Sequence, residues 1–324
     1  MWWLISLIVF VLALIGSFGV GPLRRSFWVK PFLSYLKKIL PPISETEKIV
    51  LEAGDTWWEK DLFCGQPNWK VLHHIPLSRL TTEEQAFIND QVEMLCSLLD
   101  DFDILTKYHD LLPTVWTYLK QQKFFGMVIP KKYGGLGFSA LAHSTVVLKI
   151  ATRSVSAAVN TLVPNSLGPA ELLLHYGTKE QKDYYLPRLA IGEEIPCFAL
   201  TSLDAGSDAA ALQDSGIVCN GVYQAKEMIG IRLNFNKRYI TLAPISTVIG
   251  IAFKLSDPDH LIGSKTEIGI TVALVPSLLA GVEIGKRHSP MGLAFMNGPI
   301  IGKNVFIPIS FVIGGEKMLG QGWG

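Results

Sequence analysis

Ile195-Pro-Cys-Phe-Ala-Leu-Thr-Ser-Leu-Asp-Ala-Gly-Ser-Asp208 joins an apolar strand to a turn made of residues suited to holding a ligand. From Pro196 to Thr201 the side chains are apolar or β-branched, as a short buried strand requires, and Asp204-Ala-Gly-Ser-Asp208 follows at once with turn chemistry. Gly206 can take positive φ, and Ser207 and Asp208 offer backbone N–H groups and side-chain oxygens to a polar partner. A Gly-Ser-Asp turn alone is more often plain loop chemistry than a binding site, so its meaning depends on its companions. A second strand, Asn236-Lys-Arg-Tyr-Ile-Thr-Leu-Ala243, places a ring at Tyr239 and a hydroxyl at Thr241, two residues apart and so on one face. A ring beside a hydroxyl suits a flat heterocycle.

Outward from these strands, the character of the chain changes twice. After Gly192, the runs Ile217–Asn220, Ile229–Asn234, Arg238–Ala243, Val248–Leu255, Ile268–Val275 and Val282–Gly285 are short, β-branched and separated by Gly, Pro, Asn and Asp. They predict an antiparallel β domain over residues 193–313, a small barrel or sandwich closed by Met291–Gly298 and Lys303–Pro308. Before Gly192, over residues 44–192, the pattern is helical. Ser44–Glu47, Thr81–Glu84 and Thr178–Gln181 each read as a capping box, and apolar residues recur at helical spacing in Phe87–Leu99, Val115–Phe124 and Leu141–Val155. The glycines of Phe125–Phe138 predict a tight loop rather than a dinucleotide fingerprint, because no strand-turn-helix unit surrounds them. The fold class expected is therefore α+β.

Trp2–Leu23 contains no ionisable side chain and is long enough for a single transmembrane helix, which Gly16, Gly19 and Gly21 would weaken toward its end and Pro22 would stop. No basic residue precedes the run and no clear small-x-small site follows it, which favours an anchor (1–23) over a cleaved signal peptide. Residues 24–43 form a basic juxtamembrane linker with Arg24, Arg25, Lys30, Lys37 and Lys38. The positive-inside bias then places the body on the cytoplasmic side of the inner membrane, and the stretch could also lie along anionic headgroups, helped by Trp28, Phe32 and Tyr35. A formal charge of +1 over 324 residues argues against nucleic acid as a partner. The 4 cysteines are widely spaced and the 7 histidines make no ligand spacing, so neither a disulfide framework nor a metal site is suggested.

The pair of strands resembles the acyl-CoA dehydrogenase family, where the first reads roughly F-x-L-T-x-P-x-A-G-S-D and the second K-x-W-I-T-N. Lys131-Lys-Tyr-Gly-Gly-Leu-Gly137 and Tyr176-Gly-Thr-Lys-Glu-Gln-Lys182, followed by Leu-Pro-Arg-Leu and Gly-Glu, are similar to phrases of that family's amino-terminal helical domain. The apolar amino terminus followed by Glu47-Lys and Gly54-Asp-Thr-Trp-Trp-Glu59 looks most like its long, membrane-anchored bacterial members of fatty-acid β-oxidation. The resemblance covers about residues 44–324, and residues 314–324 resemble a hinge into a carboxy-terminal helical domain at which the chain stops.

The resemblance implies FAD as cofactor, with Phe198, Leu200 and Thr201 contacting the flavin and Tyr239 and Thr241 facing the ring near N5. It implies Gly206 and Ser207 where flavin and thioester meet, so that Ser207 also touches substrate. Tyr239 stands in place of the more usual Trp and Leu242 in place of Asn; a phenol ring keeps the π-face. It implies oxidation of acyl-CoA to trans-2-enoyl-CoA, with electrons passing to an electron-transfer flavoprotein, and allows a homo-oligomer. The family's glutamate base lies on the carboxy-terminal bundle, so no catalytic residue is assigned in this chain; Asp214, Glu227, Asp257, Glu267 and Glu283 match no family base. The alternative reading is an inactive, membrane-tethered fragment that binds flavin or acyl-CoA weakly or not at all. Flavin monooxygenases and nitroalkane oxidases share the fold, so the fold alone leaves the reaction open.

Overall fold

A computed structural model of the chain describes residues 2–40, 57–166 and 168–322. They belong to two compact units, Met1–His74 and Ile75–Gly324. The capping box expected at Ser44–Glu47 and the Glu47–Thr56 part of the anchor phrase lie outside the described residues.

In the first unit, Trp2–Gly19 is one helix with no buried residue, long and apolar enough to cross a membrane. Val20 breaks it with extended backbone (φ −89°, ψ 113°), and Pro22 sits in the first turn of the next helix, Gly21–Arg24. Pro22 thus opens a helix where the sequence suggests only a stop, since its missing N–H is no loss in a first turn. A wider turn, Arg25–Val29, leads into the helix Lys30–Ile39, so the described part of the basic stretch is helical. Trp58 and Trp69 pack with ring centroids 5.1 Å apart, and Trp58 Nε1 donates to Asn68 O at 2.9 Å.

In the second unit the capping boxes at Thr81 and Thr178 form as expected. Glu84 does more than its box requires: Oε2 accepts from Thr81 N at 2.8 Å and Oε1 accepts from Ser139 N, the cap of helix Ala140–Arg153, at 2.7 Å. Burial pushes this carboxyl up, but the hydrogen bonds from Ser139 and Thr81 outweigh it and hold the group down at about 2. The helix over Phe87–Leu99 forms as Thr82–Phe87, a wider turn Ile88–Val92, and Glu93–Leu98. The loop after Phe125 folds back on itself through Leu136 N to Gly126 O, Gly137 N to Ile129 O and Phe138 N to Met127 O. A Cβ on Gly135 would lie 2.0 Å from Ile129 O, so only glycine permits this closure.

One curled seven-stranded sheet follows: β1 (Pro196–Ala199), β2 (Ser215–Tyr223), β3 (Lys226–Thr241), β4 (Val248–Ser256), β5 (Glu267–Pro276), β6 (Val282–Ile284) and β7 (Asn297–Pro308), in the order β1-β4-β2-β3-β7-β6 with β5 on β4. The α+β class holds, and the sheet is mixed where antiparallel pairing is expected, because β1 and β2 both run parallel to β4. The two runs Ile229–Asn234 and Arg238–Ala243 prove to be one bulged strand, β3. Within it Lys237, a charged residue, points inward and is fully buried against an ion-pair partner. Helices and sheet pack together within this unit. Gln181 Nε2 donates to the carbonyls of Ser310 (2.9 Å) and Val312 (2.8 Å), Gly314 N donates back to Gln181 Oε1 at 3.0 Å, and Asn160 Oδ1 accepts from Met296 N at 3.0 Å.

Candidate functional site

The end of β1 and the middle of β3, remote in sequence, lie side by side. Arg238 N donates to Thr201 O at 3.0 Å, and Ser202 bridges Lys237 in antiparallel register. Beneath them Lys237 Nζ donates to Leu200 O at 2.9 Å and to Asp214 Oδ2 at 2.6 Å, while Asp214 Oδ1 accepts from Asn236 N at 2.8 Å. Both charges are out of water. Burial pushes the Lys237 amine down, opposed by its carboxylate partner. One ion pair therefore ties the first motif, the start of β2 and β3 together.

Period-two alternation would send Tyr239 inward after Phe235 and Lys237. It does not go there. Between Lys237↔Ile300 and Ile240↔Gly298 the register slips by one residue of β3, Tyr239 takes φ +56°, and Ile240 is buried in its place. The bulge turns the Tyr239 ring outward, 60% exposed, onto the side where Thr241 is half-buried. The left-handed backbone at a tyrosine costs about 1–3 kcal/mol and is held by its surroundings. Asn297 supplies part of that hold: its Nδ2 donates to Tyr239 O at 3.0 Å and to Thr241 Oγ1 at 3.3 Å. His288 Nδ1 lies 3.3 Å from Asn297 Oδ1 and its ring 5.5 Å from that of Tyr239, while the Arg238 guanidinium is 5.6 Å from the Tyr239 ring centroid.

The other expected residues divide. Thr201 is half-buried beside Arg238, and Gly206 and Ser207 lie in an exposed loop. Gly206 does not use the left-handed region that the turn reading allowed it. Phe198 in β1 and Leu200 just after it are both half-buried and spend part of their surface on packing: the Phe198 ring lies over Gly250, where a Cβ would come within 2.9 Å of it, and Leu200 packs on the cluster of Ala205, Leu212 and Ala252. Of the unassigned acids, Asp214 holds Lys237, and Asp257 accepts from Leu261 N and Ile262 N at 2.9 Å each, a loop-closing role. Sequence spacing brings neither Asn297 and His288 nor Asp214 to Tyr239; Arg238 and Lys237 stand beside it in the strand, but their roles depend on the bulge and on Asp214.

A cavity of about 340 Å³ opens beside Thr201, bordered by Ser202, Asp204, Gln213, Asn234, Asn236 and Lys303. The Ser202 hydroxyl is buried there without a hydrogen-bond partner among the described residues. A smaller apolar cavity of about 50 Å³ between Leu172, Tyr176, Val272 and Met318 is lined by none of the site residues.

Comparison with known proteins matches residues 82–193 to the acyl-CoA dehydrogenase N-terminal domain and residues 197–305 to the acyl-CoA dehydrogenase middle domain, together well over half the chain. The chain belongs to the acyl-CoA dehydrogenase family. Human mitochondrial very long-chain specific acyl-CoA dehydrogenase is 27% identical over 311 residues, covering 93% of this chain and 46% of that protein. A 3-(aryl)acrylate reductase of Clostridium sporogenes is 34% identical over 238 residues, covering 70% of this chain and 59% of that protein. Among solved structures, the FAD complex of PigA superposes with a TM-score of 0.62 at 25% identity, covering 76% of this chain and 61% of that one. The chain thus spans about half the length of the curated relatives it matches.

Proposed function

We propose that the surface formed by Thr201, Tyr239 and Thr241 seats the isoalloxazine ring of FAD, in an acyl-CoA dehydrogenase that oxidises acyl-CoA to trans-2-enoyl-CoA. The bulge carries this reading. It sets a tyrosine in a costly backbone conformation and exposes an aromatic face next to two half-buried threonines, where ordinary packing would hide it. These residues fit a flavin: an exposed π-face for the flat ring, hydroxyls for its polar edge, and an open Gly206–Ser207 loop with nothing within 4 Å of the Gly206 Cβ position to obstruct an approaching ligand. The FAD bound to the similar PigA supports the choice of cofactor.

Dehydrogenation next to a thioester needs a base for the α-proton, an acceptor for the β-hydride and donors at the thioester oxygen. Bound FAD supplies the acceptor. The chain's own part would be to offer the Tyr239 face and the Thr201 and Thr241 hydroxyls to that group, with Arg238 N bonded to Thr201 O and Asn297 Nδ2 to Thr241 Oγ1, and to present Ser207 from its exposed loop. In the same reading the α-proton base is a glutamate of the family's carboxy-terminal bundle, and an electron-transfer flavoprotein takes the electrons. Trp2–Gly19 anchors the protein in the inner membrane with its body on the cytoplasmic side, supported by the length of that apolar helix and by the cations that follow it.

The Clostridium relative is named a reductase, so the test reads both directions. The purified full chain is loaded with FAD and mixed anaerobically with a long-chain acyl-CoA or with the matching enoyl-CoA after chemical reduction. Retention of the flavin is the expected result for this chain, and bleaching with formation of trans-2-enoyl-CoA is expected once the base-bearing carboxy-terminal helical bundle is present with it. Bound flavin that responds only to enoyl-CoA would make the protein a reductase, and failure to retain flavin would remove the reading.

A further inference from the structure

The helix Lys30–Ile39 is amphipathic in a strict sense. With 3.6 residues per turn, Phe32, Leu36 and Ile39 fall on one face and Lys30, Ser34 and Lys37 on the opposite one. The apolar face is largely uncovered among the described residues: Phe32 is 60% and Ile39 59% exposed, with Leu36 between them half-buried. Ten residues of this kind would not stay exposed without a surface to meet.

The chain enters this helix by a fixed elbow. In a continuous helix Ser17 and Trp28 would be about 16 Å apart. Instead Trp28 Nε1 donates to Ser17 Oγ at 3.0 Å, and the rings of Phe18 and Trp28 stack at 4.4 Å. The bend at Val20 therefore turns the second helix aside at the end of the apolar one, and an aromatic pair clamps the corner. Rings with a polar edge, such as Trp28, favour the headgroup level of a bilayer.

Charge identifies the surface. Residues 2–40 carry Arg24, Arg25, Lys30, Lys37 and Lys38 and no acid. We propose that Lys30–Ile39 lies flat in the interface of a membrane rich in anionic phospholipid, its Phe32–Leu36–Ile39 face among the acyl chains and its lysines among the headgroup phosphates. A protein partner would need both an apolar groove and an acidic rim; a bilayer offers both and begins where the apolar helix ends. This contact stands apart from the flavin reading.

The test uses the full chain with Cys64, Cys96 and Cys219 replaced by serine, carrying Phe32→Cys, Ile39→Cys or Ser34→Cys labelled with an environment-sensitive nitrobenzoxadiazole dye. The chain is reconstituted into phosphatidylcholine vesicles with or without phosphatidylglycerol. With phosphatidylglycerol, the dyes at 32 and 39 should emit to the blue and be at least about threefold less accessible to aqueous iodide than the dye at 34. Adding K37E and K38E to the Ile39→Cys chain should raise its iodide access to the level at 34. Equal protection at all three positions would mean that the segment runs through the bilayer, and equal exposure would mean that it leaves the membrane; either overturns the proposal. A contrast between the faces that is the same without phosphatidylglycerol overturns the role assigned to charge.

Discussion

Replacing Asp214 with asparagine should be among the most damaging single changes in the sheet. The substitution leaves the Lys237 ammonium, wholly buried, facing a neutral amide where a carboxylate oxygen stood 2.6 Å away. Breaking a buried ion pair from one side costs about 3–5 kcal/mol, since the remaining charge has neither water nor a counter-ion. Asn236 N and Leu200 O, bonded to the pair at 2.8 and 2.9 Å, would lose their geometry as well. Lys237→Met should cost a similar amount, because it strands the carboxylate. The double variant D214N/K237M removes both charges, and replacing a whole buried pair is close to neutral in other proteins, so it should recover most of the loss. Urea unfolding of the full chain in detergent, followed by circular dichroism of the sheet, gives the three free energies. Single costs below about 1 kcal/mol, or a double variant whose cost equals the sum of the two, would refute the reasoning.

Glu84 contributes stability that is fully present above its unfolded value near 4.5 and is lost as pH falls toward its folded value of about 2, so acid titration of the unmodified chain against Glu84→Gln should show the two curves converging across that window. Gly135→Ala drives a Cβ to 2.0 Å from Ile129 O and should destabilise the loop by about 2 kcal/mol or more, seen as earlier thermal unfolding and proteolysis between Phe125 and Phe138. Cys64 is exposed, whereas Cys197 is buried with its thiol pushed up to about 12, so maleimide should label Cys64 in native protein and reach Cys197 only after unfolding.

Strand and helix positions were legible because the relevant forces are local. Capping boxes at Thr81 and Thr178 and β-branched runs between turn residues announce themselves within a few positions. What escaped was non-local. That Lys237 turns inward is not readable locally, because its partner Asp214 lies 23 residues earlier. Parallel pairing of β1 with β4 joins residues about fifty apart, and no residue type signals it. The site shows the same division. Tyr239 and Thr241 flank the buried Ile240, but the bulge that turns Tyr239 outward depends on β7 and on Asn297. Phe198 and Leu200 are half-buried, packing over Gly250 and against Leu212, a contact that no local sequence signal marks.

Everything functional here depends on an aromatic ring offered outward at Tyr239 as the seat of a flavin. Titrating FAD into the purified full chain while following flavin fluorescence and its visible spectrum tests this directly. Saturable quenching with a shifted, structured band is expected, weakened at least about tenfold in Tyr239→Ser, which loses the stacking face, and retained in Tyr239→Trp. Flavin binding of equal strength in the Tyr239→Ser chain, or none in the unmodified one, would contradict the account.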